Sequence, residues 1–242
     1  MLSTQHSALS TQHYAMNVAI IAAAGRGARM GGEQAKQFRA LSGIPTIIHT
    51  LRRFERCTTI GEMIVVVPAG EVGDFLALAN RYALTKLARV VQGGETRRET
   101  VWRGLQSVRA ATAEIVAVHD GVRPFVTPEE IDTTVRAAQL SGAAILAVPA
   151  IDTIKEVRAG KVTRTPERAS LWHAQTPQCF RYDLLKRAYE QANTENLDAT
   201  DDSALVERLG APVTVIEGDA RNIKITRPED LALAEILLKS GV

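Results

Sequence analysis

Val18-Ala19-Ile20-Ile21-Ala22-Ala23-Ala24-Gly25-Arg26-Gly27 is the stretch that decides the fold. Its first six residues are all apolar, and the run passes directly into a glycine turn. A strand with one solvated face alternates apolar and polar residues; a strand covered on both faces does not. Comparable runs recur as EMIVVVP (62–68), ARVVQ (88–92), EIVAVHD (114–120) and AAILAVPA (143–150). Between them lie helical candidates at 45–56, 71–82, 96–109 and 128–140. The last opens on Thr127-Pro128-Glu129-Glu130, a capping hydroxyl, a proline at the first helical position and two acids that suit the helix dipole. This alternation predicts an α/β fold: a doubly wound, mostly parallel, Rossmann-like sheet with ligands at the carboxyl ends of its strands.

Composition narrows the class. The chain has 242 residues, 45% of them hydrophobic and 23% charged, as in ordinary globular proteins. Lys+Arg 29 against Asp+Glu 27 leaves no sequence-wide basic footprint for nucleic acid. Cys57 and Cys179 form neither a CxxC pair nor a zinc set and fit a reducing cytoplasm. No apolar stretch approaches the ~20 residues of a membrane helix. Membrane, secreted and structural-zinc classes are set aside.

Two segments stand apart. LSTQHSA and LSTQHYA repeat in tandem over residues 2–15, polar and without Arg or Lys. Residues 1–16 are expected to be a disordered tail or a mis-called start, leaving 17–242 as a single domain. Later, TIKEV (153–157), Ala159-Gly160 and KVTRT (161–165) read as a β-hairpin too polar for a core. Five basic and two acidic residues between Lys155 and Arg168 give it a net charge of +3. It is either a solvated hairpin or an arm, about 152–168, reaching a partner subunit or an anionic ligand. VTVIEG (213–218), NIKIT (222–226) and a helix from near Pro228 close the sequence.

The glycine turn fits neither common phosphate motif. GxGxxG fails because Met30 stands where its last glycine belongs, and the P-loop fails for want of a Lys and hydroxyl after the last glycine. What remains is Gly25-x-Gly27 followed by Arg29 and Lys36. A backbone cradle carrying two fixed cations suits a triphosphate.

Four separated motifs then converge: GxGxRM with Lys36-Gln37; VHDGVRPF (118–125); LWHAQTPQ (171–178); and NIKITRPEDL (222–231). In this order, from about Asn17 onward, the sequence resembles the 2-C-methyl-D-erythritol 4-phosphate cytidylyltransferases of the non-mevalonate isoprenoid pathway. The resemblance implies a nucleotidyltransferase with CTP and methylerythritol phosphate as substrates. It also implies a divalent cation such as Mg²⁺, cytoplasmic location and a homodimer joined through the 153–168 arm. A related reading is ribitol-5-phosphate cytidylyltransferase, which shares the fold; Leu171-Trp172-His173-Ala174 and Arg227-Pro228-Glu229-Asp230 fit the methylerythritol family better.

The same resemblance implies residue roles. Arg29 and Lys36 neutralise charge on the α-phosphate, and Arg168 and Lys224 hold the attacking phosphate. Ala23, Ala24, Gly25, Gly27, Gly94, Glu95, Thr100, Asp120 and Gly121 surround the nucleotide, with Gly94, Glu95 and Thr100 reading cytosine. Asp120 also holds the metal. Thr153, Thr176 and Thr200 contact the polyol phosphate, and Arg123 either binds substrate phosphate or braces the Asp120 loop. The sequence departs from the family at Ala22 and Ala35, where proline is usual, and mildly at Glu95 and Thr100. Arg97 and Arg98 add charge to the cleft or decorate a helix surface. Trp172 and His173 read as packing residues, and no general base is required because the attacking phosphate is already anionic.

Overall fold

The apolar runs are continuous because their side chains feed two cores at once. The computed structural model describes residues 16–25, 36–197 and 199–241. The N-terminal repeat, Gly27, Arg29 and the side chain of Lys36 lie outside the described residues. The strands are β1 (Met16–Ala22), β2 (Ala40–Leu41), β3 (Ile44–Pro45), β4 (Ile60–Val67), β5 (Leu87–Gln92), β6 (Ala113–Asp120), β7 (Ala143–Pro149), β8 (Glu156–Arg158), β9 (Lys161–Arg164), β10 (Trp172–Arg181) and β11 (Thr214–Glu217). The helices are α1 (Thr46–Arg56), α2 (Val72–Ala79), α3 (Arg97–Gln106), α4 (Pro128–Ser141), α5 (Tyr182–Thr194), α6 (Asp202–Arg208) and α7 (Pro228–Lys239).

Seven strands form one sheet in the order β11-β7-β10-β6-β1-β4-β5, parallel except for β10, which runs antiparallel to β6 and β7. Successive residues of each central strand enter opposite cores. Ala19 and Ile21 of β1, with Met63, Val65 and Val67 of β4, pack beneath α1, α2 and α4. Val18, Ile20, Ile64 and Val66 pack beneath α3, α5 and α6. Ile64, Val65, Val66 and Val67 are wholly buried, and such side chains each stabilise the fold by roughly 1.5–3 kcal/mol relative to exposure. The expected doubly wound sheet is therefore present, and α4 starts on the expected Thr127 cap, which with Glu130 forms a capping box.

One expectation changes, and two features are new. The 171–178 motif opens a strand, β10, on which Trp172 and His173 lie exposed rather than packed. NIKIT (222–226) is not a strand: its polar backbone groups bond outside any sheet. Arg123 donates to the Asn222 carbonyl, the Ile225 N–H donates to the Val122 carbonyl, and the Thr226 N–H donates to Asp230. The helices α5 and α6 complete the second core and had no counterpart in the sequence reading. A third, smaller cluster of Leu41, Val122, Phe125, Ile225 and Ala234 seats α7 and the 222–226 segment against the loop after β6.

The turn from α1 into β4 is held by one carboxylate. Asp132 of α4 accepts from the N–H and hydroxyl of both Thr58 and Thr59 at 2.6–3.0 Å. Burial alone would raise this carboxyl; the hydrogen bonds from Thr58 and Thr59 reverse the effect and lower it. Asp132→Ala strands those donors and is expected to cost about 3 kcal/mol in urea unfolding at neutral pH. The contribution is complete above the unfolded carboxyl pKa of about 3.9 and disappears as pH falls through the lowered folded value. The gap between wild type and variant should therefore close in acid.

Candidate active site

At the carboxyl ends of β1, β4, β5 and β6 the chain opens a cleft, as the parallel order requires. One wall is the backbone of Ala22, Ala23, Ala24 and Gly25; the other is Gly94, Glu95, Thr96, Arg97 and Thr100; Asp120, Val122 and Lys224 close the base. The walls meet closely. A Cβ on Gly93 would stand 2.2 Å from Cβ of Ala24, and one on Gly94 would stand 2.3 Å from Cβ of Glu99. Only glycine lets the loop after β5 approach the loop after β1 this nearly. Gln37 fastens the first wall by donating its side-chain amide to the Ala23 carbonyl at 2.6 Å. Thr96 caps α3 by accepting from the Glu99 N–H, which places Arg97 at the first helical position, facing the cleft.

Asp120 is the electrostatic centre. Its side chain is only 9% exposed and is ringed by three cations: Lys224 Nζ at 2.8 Å, Arg97 Nε at 3.3 Å and Arg123 Nε at 3.6 Å. Burial by itself would raise its pKa; Arg97, Lys224 and Arg123 overturn that and hold the carboxyl far below the ordinary range. Its backbone is held as well. The Asp120 N–H donates to Thr176 Oγ1 at 3.1 Å. His119 Nε2 faces the Arg123 carbonyl at 3.2 Å; a carbonyl only accepts, so Nε2 carries the proton and Nδ1 accepts from the Thr176 hydroxyl at 3.0 Å. Burial drives His119 down to about 3, so this neutral tautomer persists at physiological pH.

Of the residues singled out in sequence, Ala23, Ala24, Gly25, Gly94, Glu95, Thr100, Asp120 and Lys224 share the cleft. Gly121 lies at its back, its N–H donating to the Ala22 carbonyl. Thr176 is buried, with its hydroxyl engaged by His119 and Asp120. Arg123 has the geometry of a brace: its guanidinium spans Asp120 and the Asn222 carbonyl. Thr200 is exposed just before α6. Thr153 and Arg168 stand on the exposed arm, where Arg168 donates to the Ile151 carbonyl at 2.9 Å, and neither lines the cleft. Gly27 and Arg29 fall outside the described residues, and Lys36 is described only through its backbone, at the start of a short 3-10 turn.

Asp202 escaped the sequence reading. Arg97 joins Asp120 to this wholly buried carboxylate at 2.7 Å. Gln37 and Asn222 escaped too; Asn222 is buried and donates to Gln175 Oε1 and the Thr176 carbonyl. A second Asp following Asp201 was the available signal, because paired acids that start a helix are ordinarily exposed and this one is not.

No group of three or more His, Cys, Asp or Glu that could hold a metal ion exists among the described residues. The cleft nonetheless suits Mg²⁺, which takes one or two carboxylates and completes its octahedron with substrate phosphates and water. Asp120, ionised and set among phosphate-compatible cations, is the donor such a site needs. No helix among the described residues is long and apolar enough to cross a membrane.

Known proteins match this chain along nearly its whole length. The family model for 2-C-methyl-D-erythritol 4-phosphate cytidylyltransferase matches residues 17–240. The enzyme of that name from Pelotomaculum thermopropionicum is 46% identical over 224 residues, 92% of this chain and 94% of its own. Its namesake from Geobacillus kaustophilus is 47% identical over 222 residues, 92% and 96% of the two chains. Among solved structures, 4-diphosphocytidyl-2C-methyl-D-erythritol synthase from Anaerococcus prevotii superposes with a TM-score of 0.83 at 30% identity, covering 93% of this chain and 96% of that one. The Thermus thermophilus 2-C-methyl-D-erythritol 4-phosphate cytidylyltransferase gives 0.74 at 33% identity, covering 91% and 98%. With its sheet order, its cation-ringed Asp120 and this length of match, the chain belongs to the 2-C-methyl-D-erythritol 4-phosphate cytidylyltransferase family.

Proposed function

We propose that the protein transfers the cytidylyl group of CTP to 2-C-methyl-D-erythritol 4-phosphate, releasing pyrophosphate and 4-diphosphocytidyl-2-C-methyl-D-erythritol. The observation that carries this reading is the ring of Arg97, Arg123 and Lys224 about Asp120 at the base of a glycine-walled cleft. The chemical difficulty is repulsion. A phosphate oxygen must form a bond to the α-phosphorus of a triphosphate while the bond to the bridging oxygen breaks, and fixed cations offset the charge that accumulates.

The backbone of Ala23, Ala24 and Gly25 cradles the triphosphate, with Arg29 and Lys36 supplying charge at the α-phosphate. The close walls at Gly94, Glu95 and Thr100 admit a pyrimidine. Lys224 orients the acceptor phosphate. Mg²⁺ bound at Asp120 would neutralise phosphate charge and order the oxygens around it. Two buried free thiols, Cys57 and Cys179, suit a reducing cytoplasm.

The test is pyrophosphate release with CTP, ATP, GTP and UTP, each offered methylerythritol phosphate and ribitol phosphate. CTP with methylerythritol phosphate should dominate. A better rate with ribitol phosphate at matched concentration would overturn the acceptor assignment.

Arg168 and Thr153 stand away from the cleft of their own chain, and the arm that carries them has apolar residues without cover. Val157 and Val162 are cross-strand partners, 56% and 60% exposed, and Ile151 at its base is 77% exposed. We infer a homodimer in which each arm lies against the partner and brings Arg168 and Thr153 to its site. Light scattering should give twice the chain mass of 26.2 kDa. Removing residues 153–168 should yield an inactive monomer that retains its far-UV circular dichroism, because all seven strands of the main sheet lie elsewhere.

A further inference from the structure

Asp202 is wholly buried, yet no role in the reaction attaches to it. Its Oδ2 accepts from Arg97 Nη2 at 2.7 Å, and its Oδ1 accepts from the Tyr189 hydroxyl. Tyr189 is itself held by stacking on Trp102, with ring centroids 6.0 Å apart. Gln178 Oε1 receives the N–H groups of Asp202 and Ser203 at 3.1 and 3.0 Å, so the start of α6 is tied to β10. A buried ion pair is an inefficient way to stabilise a fold, since desolvation consumes much of the attraction. What it does supply is direction. Arg97 reaches two fixed carboxylates, Asp202 through Nη2 and Asp120 through Nε, and two anchors set the plane of a guanidinium. The remaining N–H groups of Arg97 have no protein partner among the described residues, and Arg97 lines the cleft.

We propose that Asp202 is a positioning residue: it fixes the Arg97 guanidinium so that its unused N–H groups meet the phosphates of the bound nucleotide. The inference rests on the cytidylyl-transfer reading and sharpens it. Were a metal ion to draw on the Asp120 carboxylate, the Asp202 anchor would still keep Arg97 in place. Charge by itself is then insufficient, and the fork geometry is required.

The test uses steady-state kinetics of the full-length enzyme, after the wild type has been shown to turn over CTP with methylerythritol phosphate. Asp202→Asn should lower kcat/KM for CTP by roughly ten- to a hundredfold, with the KM for methylerythritol phosphate little changed. A role in folding alone would lower kcat through the active fraction and leave both KM values alone. Adding Asp202→Asn to Arg97→Ala should change kcat/KM by less than about twofold, because the residue it acts through is gone. Arg97→Lys keeps the charge and disturbs the buried pair least, so it serves if Asp202→Asn does not fold. It should fall nearly as far as Arg97→Ala, since an ammonium cannot hold both carboxylates and still face the phosphates. Wild-type CTP kinetics in Arg97→Lys, or additive losses in the double variant, would overturn the proposal and leave the cytidylyltransferase reading intact. A wild type inactive with CTP and methylerythritol phosphate would remove that reading itself.

Discussion

Asp120→Asn is expected to lower kcat/KM by about a thousandfold or more while the enzyme remains folded. Asn preserves size and leaves the backbone bond from Asp120 to Thr176 untouched, so the loop after β6 keeps its shape. What it removes is the negative charge that Arg97, Arg123 and Lys224 share. Two consequences follow. Arg97 keeps Asp202 while Arg123 and Lys224 lose their counter-charge, and a hard divalent cation loses the carboxylate at the base of the cleft. The response of turnover to Mg²⁺ is the sharper readout. Wild type should be activated by Mg²⁺ and silenced by chelation; the variant should stay near background across the same titration. Substantial turnover by Asp120→Asn at modest Mg²⁺ would move the metal to another carboxylate.

The second large effect separates two pairs of cations by their kinetics. Arg29 and Lys36 are assigned to charge that grows on the α-phosphate during attack. Truncating either should lower kcat and kcat/KM together, by about a hundred- to a thousandfold, the pattern of an interaction strongest in the transition state. Arg168 and Lys224 are assigned to the acceptor phosphate, which carries its charge before the reaction begins. Their alanine variants should raise the KM for methylerythritol phosphate, lose kcat through misalignment and move the CTP KM far less. Arg168→Lys should recover only part of the loss, because a point charge does not reproduce a planar two-pronged contact. The pair should also differ from each other. Lys224 stands 2.8 Å from Asp120 in its own chain, whereas Arg168 stands on the exposed arm. The loss in Arg168→Ala should therefore depend on dimer formation, whereas that in Lys224→Ala should not. If the Arg168 and Lys224 variants raise the CTP KM and spare that of the acceptor, the division is reversed.

The parallel half of the sheet was legible because burial on both faces leaves an unbroken apolar run, as in β1 and β4. The antiparallel β10 was hidden for the converse reason. Its first residues, Trp172, His173 and Ala174, are exposed, and its buried half contains Gln175, Thr176 and Gln178, so it reads as neither a core strand nor an alternating one. The NIKIT segment alternates without being a strand, since alternation describes where side chains point and not whether the backbone finds a strand to pair with. In the cleft, Asp120 was visible as a carboxylate ending an apolar strand. Asp202 was not, and Arg97 was legible only as charge for the cleft or for a helix surface, because their pairing lies across 105 positions of sequence. Residues that recognise ligands by themselves leave local signatures; residues that orient other residues do not.

Lys224 follows every strand of the sheet in the chain, and its segment is seated by the small cluster that includes Ile225 and Ala234 of α7. None of these residues belongs to the two large cores of the sheet. During synthesis, the nucleotide-facing half can therefore fold while Lys224 is still being added, with Asp120 facing Arg97 and Arg123 alone. Activity arrives as a separate, late event, when the closing helix docks and carries the last cation into place. A ribosome-stalled or proteolysed chain lacking that segment would keep every strand of the sheet and have a silent site, so abundance measured by an antibody against the sheet would overstate the enzyme's working concentration.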